Sequence, residues 1–154
     1  MARKRFKGAS DKRDGGAFVA VPLAVLNSRA YLDASPYARM LLFDLVCQYR
    51  GTNNGDLCAA WWLMKPRGWR SPVTLGKAKR ELLELCLIVE TRKGARPNKA
   101  SLYAITWQAL DECGGKLDMT LKVFPRSAYL RRDPPTLLTR KNVLLSTPAV
   151  VEAV

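Results

Sequence analysis

The apolar spacing of this chain changes once, sharply, on either side of Cys86. Upstream, Leu75, Ala78, Leu82 and Leu85 follow a Ser71-Pro72 start at helical intervals, which places them on one stripe of a helix over 71–85. Downstream, "LIVETR" (87–92) and "SLYAITW" (101–107) are β-branched and aromatic runs flanking "KGARPNKA", a loop with Gly, Pro and Asn. Two such runs around a turn-rich loop predict a β-hairpin with a long tip. A helix that runs almost without interval into a hairpin restricts the fold to few arrangements.

The preceding residues narrow it further. Ser35 and Pro36 supply a cap and a first-turn proline, and Ala38, Leu41, Leu42, Leu45, Val46 and Tyr49 share one helical face, predicting a helix that ends near Arg50 and Gly51. "GTNNGD" (51–56) is turn chemistry, Asp56 to Cys58 is a stub of strand, and "AAWWLMK" makes a short helix over 59–65 before Pro66 removes an amide. "AFVAVP" (17–22) reads as an extended entry and "PLAVLNS" as a brief helix. The order is helix, strand stub, helix, turn, helix, hairpin. It predicts an α+β, mainly α chain: a winged helix-turn-helix with a C-terminal β-hairpin wing and an extended tail. The expected organisation is a basic arm over 1–16, the winged domain over 17–111, and an extension over 112–154. In that extension the alternation of "KLDMTLKVF" predicts a strand over 116–124, at a sheet edge or pairing between protomers, and a proline-rich, poorly ordered tail follows, with a short helix after Pro148.

Several function classes are disfavoured by what the 154 residues lack. There is no histidine, so the commonest general base and every Ser-His or Cys-His pair are missing, and neither common glycine-rich phosphate loop is present. The expectation is a non-enzymatic protein with no cofactor. Cysteines at 47, 58, 86 and 113 form no C-x-x-C pair and, without histidine, no ordinary zinc site, so they read as reduced core or half-buried thiols and no metal is expected. No apolar run reaches the ~18 residues of a membrane span, and the basic start lacks the apolar stretch of a secretory signal, so a cytoplasmic, nucleoid-associated protein with no membrane partner is expected.

The net charge is +13. A polyanion releases counterions when such a surface approaches it, so the location of the charge matters more than its size. Residues 65–99 hold ten Lys or Arg against Glu81, Glu84 and Glu90, leaving the rest of 17–122 close to neutral. On the 71–85 helix, Val73, Lys77, Arg80 and Glu84 lie opposite the apolar stripe, with Thr74 and Gly76 on its shoulders. In a helix-turn-helix the second helix enters the major groove with its N-terminal part toward the base edges. The early cations and the free amides from Ser71 to Thr74 then face phosphates. Arg67 and Arg70 flank the preceding turn, with Trp69 read as core. Core is also the reading for each of Trp61 and Trp62, although one narrow stripe cannot bury both, which leaves a surface or dimer contact as the alternative for one of them. Arg92, Lys93, Arg96, Asn98 and Lys99 make the wing over 92–101 a backbone or minor-groove contact. Against this, Lys77 with Glu81 and Arg80 with Glu84 are i,i+4 pairs that would merely lace a solvated face, each at about 0.2–0.5 kcal/mol.

"LLFDLVCQYRGTNNGDL", "LMKPRGWRSPVTLGKAKRELLELCLIVETRKG" and "SLYAITW" resemble the winged-helix proteins of proteobacterial prophages, plasmids and integrative elements, which are distantly similar to the N-terminal domains of phage and plasmid replication proteins. The likeness spans 17–122. It implies DNA binding through Ser71, Thr74, Lys77 and Arg80, with support from the wing between Arg92 and Lys99. Cys86 stands where many relatives carry glycine, and Pro72, where polar residues are common, removes one amide from the phosphate-facing set.

The leading expectation is therefore a sequence-recognising double-stranded DNA-binding protein, a transcriptional regulator of a mobile element, acting as a homodimer because one helix reads few base pairs. A replication or partition initiator would use the same domain, with 112–154 recruiting a protein partner. A winged module used only for protein contacts is the alternative from another class.

Overall fold

In a computed structural model, residues 14–133 are described; the arm over 1–13 and the tail over 134–154, including the helix expected after Pro148, lie outside them. The elements are α1 (Leu23–Leu26), α2 (Arg29–Asp33), α3 (Pro36–Val46), α4 (Trp61–Met64) continued by a 3-10 turn (Lys65–Arg67), α5 (Pro72–Glu84), β1 (Ile88–Arg92) and β2 (Leu102–Ile105). Two further 3-10 turns follow, Cys113–Gly115 and Ala128–Arg132. The result is mixed α+β, mainly helical, with a two-stranded antiparallel sheet. Among the described residues no helix is long and apolar enough to cross a membrane.

Both serine-proline starts behave as local chemistry dictates. Ser35 Oγ accepts from the Ala38 amide at 3.2 Å and Ser71 Oγ from the Thr74 amide at 3.3 Å, while Pro36 and Pro72 sit in the first turn, where no intrahelical amide is needed. α3 and α5 pack together through buried Ala38, Leu41, Leu42 and Leu45 on one side and Leu75, Ala78 and Leu82 on the other. Glu81 ties them further. Its carboxylate accepts from the Ser35 amide and hydroxyl, both at 2.6 Å, which sets a negative charge at the positive end of α3.

α3 stops at Val46, short of Arg50, because the side chains beyond it satisfy the backbone in another way. Gln48 exchanges two bonds with the Cys58 backbone, at 2.8 and 2.9 Å. Asn53 accepts from the Arg50 amide at 2.7 Å and donates to the Gln48 carbonyl at 2.9 Å. The expected strand stub is one residue, Leu57, bridged to Tyr103 by bonds of 3.2 and 2.8 Å, so β2 lies between Leu57 and β1. α5 ends in a Schellman arrangement, with the Cys86 amide on Leu83 O and the Leu87 amide on Leu82 O, each at 3.1 Å. Cys86 takes φ +58°, the left-handed position that glycine usually fills.

Two expectations for the C-terminal extension are corrected. Residues 116–124 form no strand. The Asp118 amide bonds Thr91 O at 2.9 Å and its carboxylate accepts from the Lys93 amide at 3.1 Å; the chain then turns, with Val123 and Phe124 amides on Thr120 O. Leu117 and Met119 pack with Val89 against Ala104, Leu110 and Phe124, whereas Leu121 and Val123 stay exposed. This layer covers the face of β2 turned away from the main core, which is why all four β2 residues are buried. The described start of the tail, residues 125–133, is also packed against the domain. Ser127 donates from its amide to Thr106 O at 2.7 Å, Tyr129 enters the main core, and Asp133 accepts from the Arg29 amide at 2.7 Å, holding the Ala128–Arg132 turn against α2.

Candidate nucleic-acid interface

α5 presents two unlike faces. Leu75, Ala78 and Leu82 are buried, and on the opposite side Val73, Lys77, Arg80 and Glu84 are exposed. The lacing pairs do not form: Glu81 is spent on Ser35, and the ion pairs among the described residues are Arg29–Asp33, Arg67–Asp44 and Lys116–Asp56. Lys77 and Arg80 therefore carry their charges into solvent without a protein partner among the described residues. A pair of uncompensated cations on one helix face is an anion-attracting surface.

The amides at the start of α5 contribute less than expected. The Thr74 amide is taken by Ser71 Oγ, Pro72 has none, and Leu75 already bonds Ser71 O at 3.1 Å. Of the amides from Ser71 to Thr74, those of Ser71 and Val73 remain for an outside ligand among the described residues. Ser71 and Thr74 thus act first as the cap that starts the helix; both are half-buried.

The turn before α5 is locked from α3. Asp44 is buried at 7 % exposure and accepts from Arg67 Nε and from Trp69 Nε1, the latter at 2.8 Å. The hydrogen bond to Asp44, reinforced by its charge, raises the Arg67 pKa above its ordinary value. Arg67 is thus bound to an acid, and its work is to hold the turn in which Gly68 reverses the chain at φ +99°. Arg70, two residues on, is exposed and has no protein partner among the described residues. Trp69 is core, as expected, and rests 6.1 Å from the Tyr37 ring. Trp61 is half-buried and Trp62 is 70 % exposed, so the stripe leaves one of the pair at the surface, and the core reading fails for Trp62. A lone acid inside the apolar run "LLFDLV" was the signal for Asp44, since an unpaired carboxylate on a buried face requires partners.

The loop between β1 and β2 separates in the same way into residues that build it and residues that project. Arg92 donates from Nε and Nη2 to Ala100 O at 3.3 and 2.9 Å, closing the base of the loop. The Gly94 amide bonds Ser101 Oγ at 2.9 Å, and a Cβ at Gly94 would lie 2.8 Å from Lys99 O and 2.9 Å from Ser101 N. Ala95 and Lys99 exchange two backbone bonds of 2.8 Å around a cis Arg96–Pro97 peptide. Lys93, Arg96, Asn98 and Lys99 are exposed around that tip.

Twelve residues were singled out from the sequence. Arg70, Val73, Lys77 and Arg80 project from α5 and its approach, and Lys93, Arg96, Asn98 and Lys99 from the β1–β2 loop. Arg67, Ser71, Thr74 and Arg92 are engaged in shaping those two elements. Comparison with family models, with curated proteins and with solved structures finds no match to this chain.

Proposed function

We propose that the chain is a winged helix-turn-helix protein that binds duplex DNA with α5 in the major groove and the wing on the backbone or minor groove, as a non-enzymatic, dimeric transcriptional regulator of a mobile element. The observation that carries this reading is the pair Lys77 and Arg80, exposed on one face of α5 while the glutamate that would neutralise Lys77 is bonded to Ser35. The order of elements supports it, with Leu57 beside β2, β2 beside β1, and a cationic loop between the two strands. Dimerisation follows from reach, because a single helix meets too few base pairs to select a site.

Binding to a random-sequence duplex, measured at two salt concentrations, tests the reading. Each phosphate contact adds about 0.9 to the steepness of log affinity against log salt, so Lys77→Ala with Arg80→Ala should weaken binding and flatten that slope by about 2. A double variant that binds as tightly as the parent at both salts overturns the role of α5.

A further inference from the structure

Val73 is 67 % exposed, and it stands in line with Lys77 and Arg80 on the outward face of α5. Isolated exposed valines are ordinary. This one has a neighbour that makes it unusual. Gly76, three residues on and therefore adjacent on the helix surface, is a poor helix residue set mid-helix, and a Cβ there would meet nothing within 4 Å. No packing inside the protein explains either residue: valine stiffens a helix that a straight side chain would suit better, and Gly76 weakens it with open space beside it. Two locally unfavourable choices side by side on a solvent face mark a surface selected for something outside the chain.

We infer that Val73 reads the C5-methyl group of a thymine in the major groove, with Gly76 leaving room for the helix surface to come close. This rests on the DNA reading above and gives its site a base preference. In the major groove the base edges offer hydrogen-bond donors and acceptors and one apolar group, the thymine methyl. Valine has no polar side-chain atom and matches only that group. Lys77 and Arg80 are long and reach outward to phosphates, whereas valine is short and meets whatever lies against the helix itself. Its position in the first turn of α5 is the part of a recognition helix that faces base edges.

The test uses duplexes of about 20 base pairs, long enough for two half-sites, enriched from a random pool by the full chain. Each thymine of the recovered site is then replaced in turn by uracil, which removes the methyl and leaves base pairing intact. Losing one methyl contact is expected to weaken the parent about fourfold at one thymine per half-site, and Val73→Ala is expected to bind the thymine and uracil duplexes equally. Because Val73 is exposed, the variant should melt with the parent. If Val73→Ala keeps the parent's uracil penalty, or the parent shows none at any position, the inference is overturned while DNA binding stands. If the parent binds no duplex at low salt, the DNA reading itself falls, and this inference with it.

Discussion

Gly76 is the residue at which stability and the proposed function pull in opposite directions. It lies within α5 with open space around its Cα, so alanine there meets no steric obstacle and removes the backbone freedom that glycine brings to the unfolded chain. Gly76→Ala should raise stability by about 0.8–1.0 kcal/mol in urea denaturation and, by thickening the surface pressed into the groove, weaken duplex binding. A variant that gains stability and keeps full affinity would show that the helix does not approach DNA on that side. Asp44 illustrates the opposite kind of residue. It is polar and buried, it holds Arg67 and Trp69, and it contributes to the site only by fixing the turn from which α5 departs.

At the scale of elements, the turn "GTNNGD" does more than reverse the chain. Asn54 is fully buried; its amide nitrogen donates to Ile105 O at 3.0 Å and Ala109 O at 2.9 Å, and its side-chain oxygen accepts from the Ile105 amide at 2.9 Å. Asp111 closes the clamp, accepting from the Asn54 amide at 2.8 Å. Asn54→Ala would strand several buried backbone groups at the end of β2, and a loss of about 2–4 kcal/mol is expected by denaturation; a change within a few tenths would mean that these groups are satisfied otherwise. What was legible in the sequence was local: Ser-Pro starts, the apolar stripes of α3 and α5, and the two strand runs whose pairing is set by the loop between them. The partners of Asn54, Glu81 and Asp44 lie 23 or more positions away, beyond the reach of periodicity, which offers Glu81 only the nearby Lys77. The alternation over 116–124 misled for a related reason. Of its alternating apolar residues only Leu117 and Met119 are packed, held there because Asp118 bonds Thr91 of β1 and Lys93 just past it, while Leu121 and Val123 stay exposed. For the candidate site, the exposed cations were legible as charge, but which of them the fold consumes was not. Arg67 and Arg92 look the same in sequence as Arg70 and Arg96.

At the scale of the whole molecule, the charge of +13 is unevenly spread, with ten of the basic residues in 65–99. The fold sorts them: internal partners take Arg67 and Arg92, while Lys77 and Arg80 of α5 and Lys93, Arg96 and Lys99 of the β1–β2 loop are exposed. On the proposed function, these two elements together form one surface for duplex DNA. Amide NMR spectra of the full chain, recorded while a duplex enriched by binding is added, test it most directly. The largest shifts are expected within Arg70–Arg80 and Lys93–Lys99, while the buried amides of α3 at Leu41, Leu42 and Leu45 hold still. Shifts concentrated in the layer over 116–124, with α5 and the wing unmoved, would contradict it.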